Sequence, residues 1–303
     1  MDNFSQWRQF KYQDALVHLW VFEASATPAK FRAWHVRTDE ALEQFFRRVI
    51  TAEVERVTET LPYTPLTQNN DNSCLLHDLH QSEGLAALLA VVNVPESEQV
   101  RAVLKQLEGA MGYLVKFQTH EQTVFAVKKT SQTWKPRRRW SFTNAVFVDG
   151  ELSLAPSDMF AFEEFFDFYC LDHAIFVVSK RAYESAASDK SVYIKNFESL
   201  IDEPQFLKVL SDVAPLKDYV GNNAMQLKRM TVVKRKALYL QLDFIQRVSW
   251  VSQKRGWGLE FDSNGRIVFS ESKARDIIQI LLDHRLLSEI SETIYDVPDA
   301  HIV

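Results

Sequence analysis

Hydrophobic side chains along the chain recur first with period two and then with the period of a helix. The runs LVHLWVFEA (16–24) and FRAWHVR (31–37) alternate like half-buried strands, and Pro28 in the turn between them predicts a hairpin. Leu42, Phe45, Phe46, Val49, Ile50, Val54, Val57 and Leu61 then fall at helical spacing. Thr38 stands as the N-cap, Asp39 and Glu40 fill a first turn where the helix dipole favours acids, and Pro62 ends the run. Residues 63–73, YTPLTQNNDNS, are polar and turn-forming and predict an exposed loop. Two shorter helical patterns follow, over about 82–92 and 96–108.

From Gly109 the period returns to two. YLVKFQT, VFAVKKT, RRWSFT and NAVFVDGELSL predict strands joined by short polar turns, which puts WKPRRR (134–139) in a strand-to-strand connection. Pro136 suits that placement, because proline has no N–H to give to a ladder. After the aromatic segment FAFEEFFDFY comes a strand, AIFVVS, and then mostly helix. KALYLQLDFIQRVSWVSQK sets Leu238, Leu242, Ile245, Val248 and Val251 on one helical face. WGLEFDSNGRIVF predicts a hairpin turning at Asn264-Gly265, the dipeptide of a type I′ turn, before a capped helix near Ser270 and a short strand near IYDV. This order predicts an α+β fold of antiparallel sheets flanked by helices. A smaller N-terminal α+β domain is expected over 1–108 and a second over 109–303, which carries the basic hairpin and the C-terminal helices.

Composition narrows the class. The 303 residues suffice for two domains or one large one, and 46% hydrophobic with 25% charged residues is the balance of a globular protein. No apolar run reaches the roughly 20 residues of a membrane span, so a membrane location would come through a partner. The start, MDNFSQWRQFKYQD, carries acids and no apolar core, unlike a signal peptide, and Cys74 and Cys170 read as reduced thiols of a cytoplasmic protein.

The formal net charge is −5, which argues against general adhesion to nucleic acid, yet positive charge is concentrated locally. Lys128, Lys129, Lys135, Arg137, Arg138 and Arg139 lie within 128–140 with no acid, and Lys228, Arg229, Lys234, Arg235 and Lys236 lie within 228–236 with none. Arginine and lysine neutralise phosphates, and Trp134 adds a ring that can stack on a base. Two other objects suit such a segment: an acidic protein surface or self-interface, and anionic lipid heads. The plainer alternative is a solvated edge protected by charge, for which one lysine would suffice. The window at 228–236 is weaker, because amphipathic helices commonly carry cations on the wet face.

Catalytic signatures such as GxSxG, HExxH and GxxxxGK[ST] are missing, and no cofactor is expected. Cys74, His77 and His80 would share one face if helical, but a structural metal site needs a fourth ligand, and none is expected to bind. Asp262, Glu271 and Lys273 match the D-x8-E-x-K spacing of PD-(D/E)xK nucleases, in which two carboxylates hold a divalent ion and the lysine aids the attacking water. The turn DSNG and the first turn of a helix explain the same residues structurally.

The order FAVKK, a Trp-containing basic hairpin, AIFVVS, KNFESLI, WGLEFDSNGRIVFSES and ILLDHRLLSEISETIYDV resembles the KwaB family of the Kiwa anti-phage defence system over roughly residues 110–300. The resemblance implies a cytoplasmic DNA-binding effector that assembles with KwaA, a small integral membrane protein, at the inner face of the membrane and restrains phage DNA replication and late transcription. A homodimer is the expected assembly. The family supplies no motif for the DNA contacts, so Lys128, Lys129, Trp134, Lys135, Arg137–Arg139 and the 228–236 cations are expected at the DNA on charge alone. A metal-dependent nuclease and an assembly adaptor with an acidic partner are the alternatives.

Overall fold

The computed structural model of the protein describes residues 2–25, 30–130, 134, 145–148, 151–154, 160–187, 190–287 and 293–296. The fold is α+β, and its described residues divide into two compact units, one formed by 1–62 and 68–188, the other by 63–67 and 189–303.

Unit 1 is built on a sheet of eight strands. The chain enters through α1 (Asn3–Gln9) and forms the expected hairpin of β1 (Leu16–Ala24) and β2 (Phe31–Val36). There follow α2 (Glu40–Arg56), β3 (Glu59–Pro62), β4 (Ser73–Asp78), α3 (Glu83–Val92), α4 (Leu104–Gly109), β5 (Gly112–Gln118) and β6 (Thr123–Lys129). A separate hairpin, β7 (Ala145–Val148) and β8 (Glu151–Leu154), precedes β9 (Phe168–Leu171), β10 (Ala174–Val177) and α5 (Lys180–Ala187). The large sheet runs β2-β1-β5-β6-β9-β10-β4-β3 and is antiparallel except for the last pair. Odd residues of β1 (Val17, Leu19, Val21) join Phe46, Val49 and Ile50 of α2 in one core on one face of the sheet. In this sheet β1 to β4, from before residue 108, take the two edges, and β5, β6, β9 and β10, from after it, take the centre. The boundary expected at 108 is thus not the one the structure draws, because β1 and β5, on either side of it, share seven register pairs.

Helix α2 departs from its sequence reading at both ends. Asp39, not Thr38, is the N-cap, accepting from the Leu42 amide at 2.9 Å, while the Thr38 hydroxyl donates to Glu43. The helix stops at Arg56 because the β-branched run that follows takes extended geometry and pairs with β4, whereas Pro62 closes only β3. The loop expected to be exposed is partly buried. Tyr63 and Thr67 are buried and Leu66 packs against the core of unit 2; the Tyr63 hydroxyl lies 3.4 Å from that of Tyr193 and the Tyr63 carbonyl accepts from Arg235 at 2.9 Å. Of the pattern at 96–108, only a short turn and α4 are helical.

Unit 2 is mainly helical: α6 (Lys190–Ile201), α7 (Ala214–Val220), α8 (Ala224–Lys236), α9 (Phe244–Arg255) and α10 (Ala274–Leu281), then the hairpin of β11 (Arg285–Leu287) and β12 (Ile294–Asp296). The single helix expected from 236 onwards is broken. Ala237 adopts the left-handed region (φ 49°), and Leu242, assigned to the apolar face, is fully exposed. Residues 257–269 form a turn with one bridge, Phe261 to Ile267, in place of a long hairpin. Only Gly265 of the Asn-Gly pair has positive φ (76°), so the turn is not type I′, which needs both.

Candidate nucleic-acid interface

The first basic window begins at the end of β6, and the structure separates its members. Lys128 shares a face with Val124 and Ala126, whose side chains enter the core, so its ammonium would be stranded without partners. It has them: Glu163 at 2.8 Å and Asp167 at 3.1 Å, with the Phe165 ring 3.5 Å away. Asp167 stands opposite Lys128 because β6 and β9 pair Val127 with Phe168. Its carboxylate also accepts from the Lys129 amide at 2.7 Å, and its carbonyl accepts from the amides of Val178 and Ser179. Burial raises the Asp167 pKa against the opposing pull of the Lys129 amide and Lys128. Gly112, paired with Lys129 on β5, leaves room for the backbone of β6 and the Phe22 ring, since a Cβ there would lie 2.8 Å from the Lys128 carbonyl and nearer still to that ring.

Lys128 is therefore a core cation in this arrangement and is not presented to a phosphate. Lys129 points to the other face, where its ammonium donates to the Ser185 hydroxyl of α5 near the surface. Trp134 is likewise not a surface ring. It is 2% exposed, its indole N–H donates to the Leu107 carbonyl at 2.7 Å, and it stacks on Tyr113 with centroids 5.2 Å apart and 22° between planes. A buried ring cannot stack on a base. The rings of Phe160 and Phe162 close on it at 5.2 and 5.1 Å. Trp134 and Phe160, well separated in sequence, thus meet at the unit 1 core. Between these anchors the sequence carries Lys135, Arg137, Arg138 and Arg139, which lie outside the described residues, as does the expected strand RRWSFT.

The second window forms α8 of unit 2. Lys234, Arg235 and Lys236 occupy its last turn, where cations complement the helix dipole. Two have structural partners: Arg235 donates to the Tyr63 carbonyl and Lys236 to the Leu282 carbonyl at 2.8 Å. Lys228, Arg229 and Lys234 are half-buried, and Arg229 donates to Gln226. The two windows belong to different units.

The remaining constellations have structural explanations. Asp262 accepts from the amides of Asn264 and Arg266 and from the Arg266 guanidinium, each at 2.8 to 2.9 Å. Lys273 donates to the Trp257 carbonyl at 3.1 Å. Cys74 and His77 sit on a strand, not a helix, so an odd spacing sends them to opposite faces, while the ring of His80 stacks on His173 at 4.5 Å. Among the described residues no three His, Cys, Asp or Glu side chains are grouped to hold a metal ion.

Sequence reasoning missed the acids that hold Lys128. Glu163 and Asp167 are carboxylates set among six aromatic residues of FAFEEFFDFY, and acids in so apolar a stretch signal a buried cation to be met.

The fold and site define an α+β protein in which a basic stretch of sequence directly follows Trp134, a ring packed on Tyr113 of the central sheet. The family model described as Kiwa protein KwaB-like matches residues 107–291. The chain belongs to that family, and with it to the components of the Kiwa anti-phage defence system. No curated protein and no solved structure matches it. Among the described residues, no helix is long and apolar enough to cross a membrane.

Proposed function

We propose that the protein acts in Kiwa defence by binding DNA, mainly through phosphates, and that together with a KwaA-like membrane protein it blocks phage DNA replication and transcription. It does so as a cytoplasmic homodimer held at the inner face of the membrane by that partner. The contacts are Lys129, Lys135, Arg137, Arg138 and Arg139, with the α8 cations Lys228, Arg229 and Lys234 as a second set. The observation that carries this reading is the paired anchoring of Trp134 and Phe160. A stretch whose flanking residues Trp134 and Phe160 are held together has fewer conformations to lose, which lowers the ordering cost of engaging a phosphate chain. Sequence preference is low, since phosphate contacts position a protein without reading bases.

Five neutralised phosphates give a log–log salt slope of about −4.5, so raising salt from roughly 50 to 200 mM costs several hundred-fold in affinity. Replacing Arg137, Arg138 and Arg139 together by Ala should bring the slope to about −2 and weaken all sequences alike. Electrophoretic or anisotropy titrations across salt test this directly. Salt-independent binding, or a triple variant that binds like the parent, overturns the reading. Mg²⁺-dependent cleavage abolished by Glu271→Ala would instead favour the nuclease.

A further inference from the structure

Unit 2 carries a cleft that the proposed DNA contacts do not include. Residues from 238–257 and 280–285 line a cleft of about 380 Å³ whose apolar members are Leu238, Phe244, Val248, Val251, Trp257 and Ile280. Leu240, half exposed, and Leu242, fully exposed, flank the lining residue Gln241 in sequence, and α9 presents Trp250 at 60% exposure. Three large apolar side chains in water within eleven residues, next to a concave apolar wall, form the kind of patch that soluble proteins keep for partners.

The charge on this surface selects the partner. Helix α9 contains Arg247, Lys254 and Arg255 and no acid, in a chain of net charge −5. Lys254 lies over the Trp250 ring with its ammonium 4.6 Å from the centroid, which joins the cationic and apolar parts of the face. Arg247 is paired with Asp243 at 2.6 Å, but that i,i+4 pair is exposed at both ends and contributes little, so Arg247 can exchange partners at small cost. Arg285 lies on the opposite wall and is held by Asp276 at 2.8 Å, and Asp283 is the carboxylate of the lining. Positive charge is thus mobile along α9 and fixed or opposed across the cleft.

We propose that this cleft and the face of α9 dock a segment of another protein that inserts one large apolar side chain between Phe244 and Ile280 and sets flanking carboxylates against Arg247, Lys254 and Arg255. A concave seat of this size suits a protruding side chain, whereas a flat bilayer would meet only the rim. The recognition is that of an acidic amphipathic peptide in a groove.

The test pans a random displayed peptide library on the full-length protein and titrates the recovered peptides by fluorescence anisotropy. Recovered sequences should carry a large apolar residue flanked by Asp or Glu. Their affinity should fall at least tenfold for Leu242→Ser/Trp250→Ser and for Arg247→Glu/Lys254→Glu, all surface changes that leave the core intact. Peptides without acids, or undiminished binding to both double variants, overturn the proposal. So does sedimentation of the protein with phosphatidylcholine/phosphatidylglycerol vesicles that both double variants abolish, which would make the face a membrane contact. A native dimer that Leu242→Ser/Trp250→Ser converts to monomer also overturns it, because the occupant would then be a second copy of the chain.

Discussion

Trp134 is the residue whose role the structure changes most, and replacing it separates a structural from a DNA-stacking function. A buried tryptophan removes about 200 Å² from water, which at roughly 25 cal/mol per Å² corresponds to ~5 kcal/mol as an upper bound. Its hydrogen bond to the Leu107 carbonyl adds about 1 kcal/mol. Partial collapse around the vacated space reduces the sum, so Trp134→Ala should destabilise unit 1 by about 3–5 kcal/mol. Trp134→Phe retains a ring against Tyr113 and Phe162 and loses the hydrogen bond and part of the area, for roughly 1–2 kcal/mol. Because the chain forms two units, the readout must be local: native-state hydrogen exchange of the β5 and β6 amides. DNA affinity of the folded Trp134→Phe variant should stay within about twofold of the parent. A loss below 1 kcal/mol for Trp134→Ala would refute the burial argument, and a tenfold loss of DNA affinity in a stable Trp134→Phe would return the ring to the DNA.

Three further outcomes follow from the Lys128 cluster and the thiols. Lys128→Met should cost about 3–5 kcal/mol in urea denaturation, since it leaves the buried Asp167 and the half-buried Glu163 without their cation, and adding Asp167→Asn should recover part of the loss. The Asp167 carboxyl binds its proton more tightly folded than unfolded, so this group favours folding as pH falls from above its raised pKa through the ordinary 3.8, and opposes it as pH rises. Asp167→Asn should remove that contribution, giving a steeper loss of stability toward acid when denaturation midpoints are compared between pH 3.5 and 6. Burial pushes the Cys74 thiol up to about 12 and Cys170 higher, so neither should react with Ellman's reagent at pH 8 until the protein unfolds.

The elements legible in the sequence were those fixed by local pattern. The β1–β2 hairpin, α2 and α3, and β5, β6, β7, β8 and β10 follow from alternation or helical spacing, whereas β9, inside the aromatic segment, and β11 do not. The misreadings came where a distant partner decided the local state. Val57 to Leu61 continue a helical spacing, yet β4 recruits that stretch as a strand, and Leu242 fits the apolar face of a helix that Ala237 interrupts. The same reason explains the site. The cluster of charge at 128–140 is visible in one dimension, but that Lys128 meets Glu163 and Asp167 and Trp134 meets Leu107 depends on strand register and on a return of the chain that no spacing encodes.

The crossing of the chain between its units also sets a clock on synthesis. Residues 63–67 belong to unit 2, where Leu66 packs on the core and Tyr63 meets Tyr193 and Arg235, although the rest of that unit begins only at 189. At roughly 5–20 residues per second, the short segment leaves the ribosome on the order of 6–25 s before its partners do. Until then Tyr63 and Thr67 are exposed on a nascent chain whose flanking strands, β3 and β4, can already have paired. A C-terminal fragment starting at 189 would never receive them.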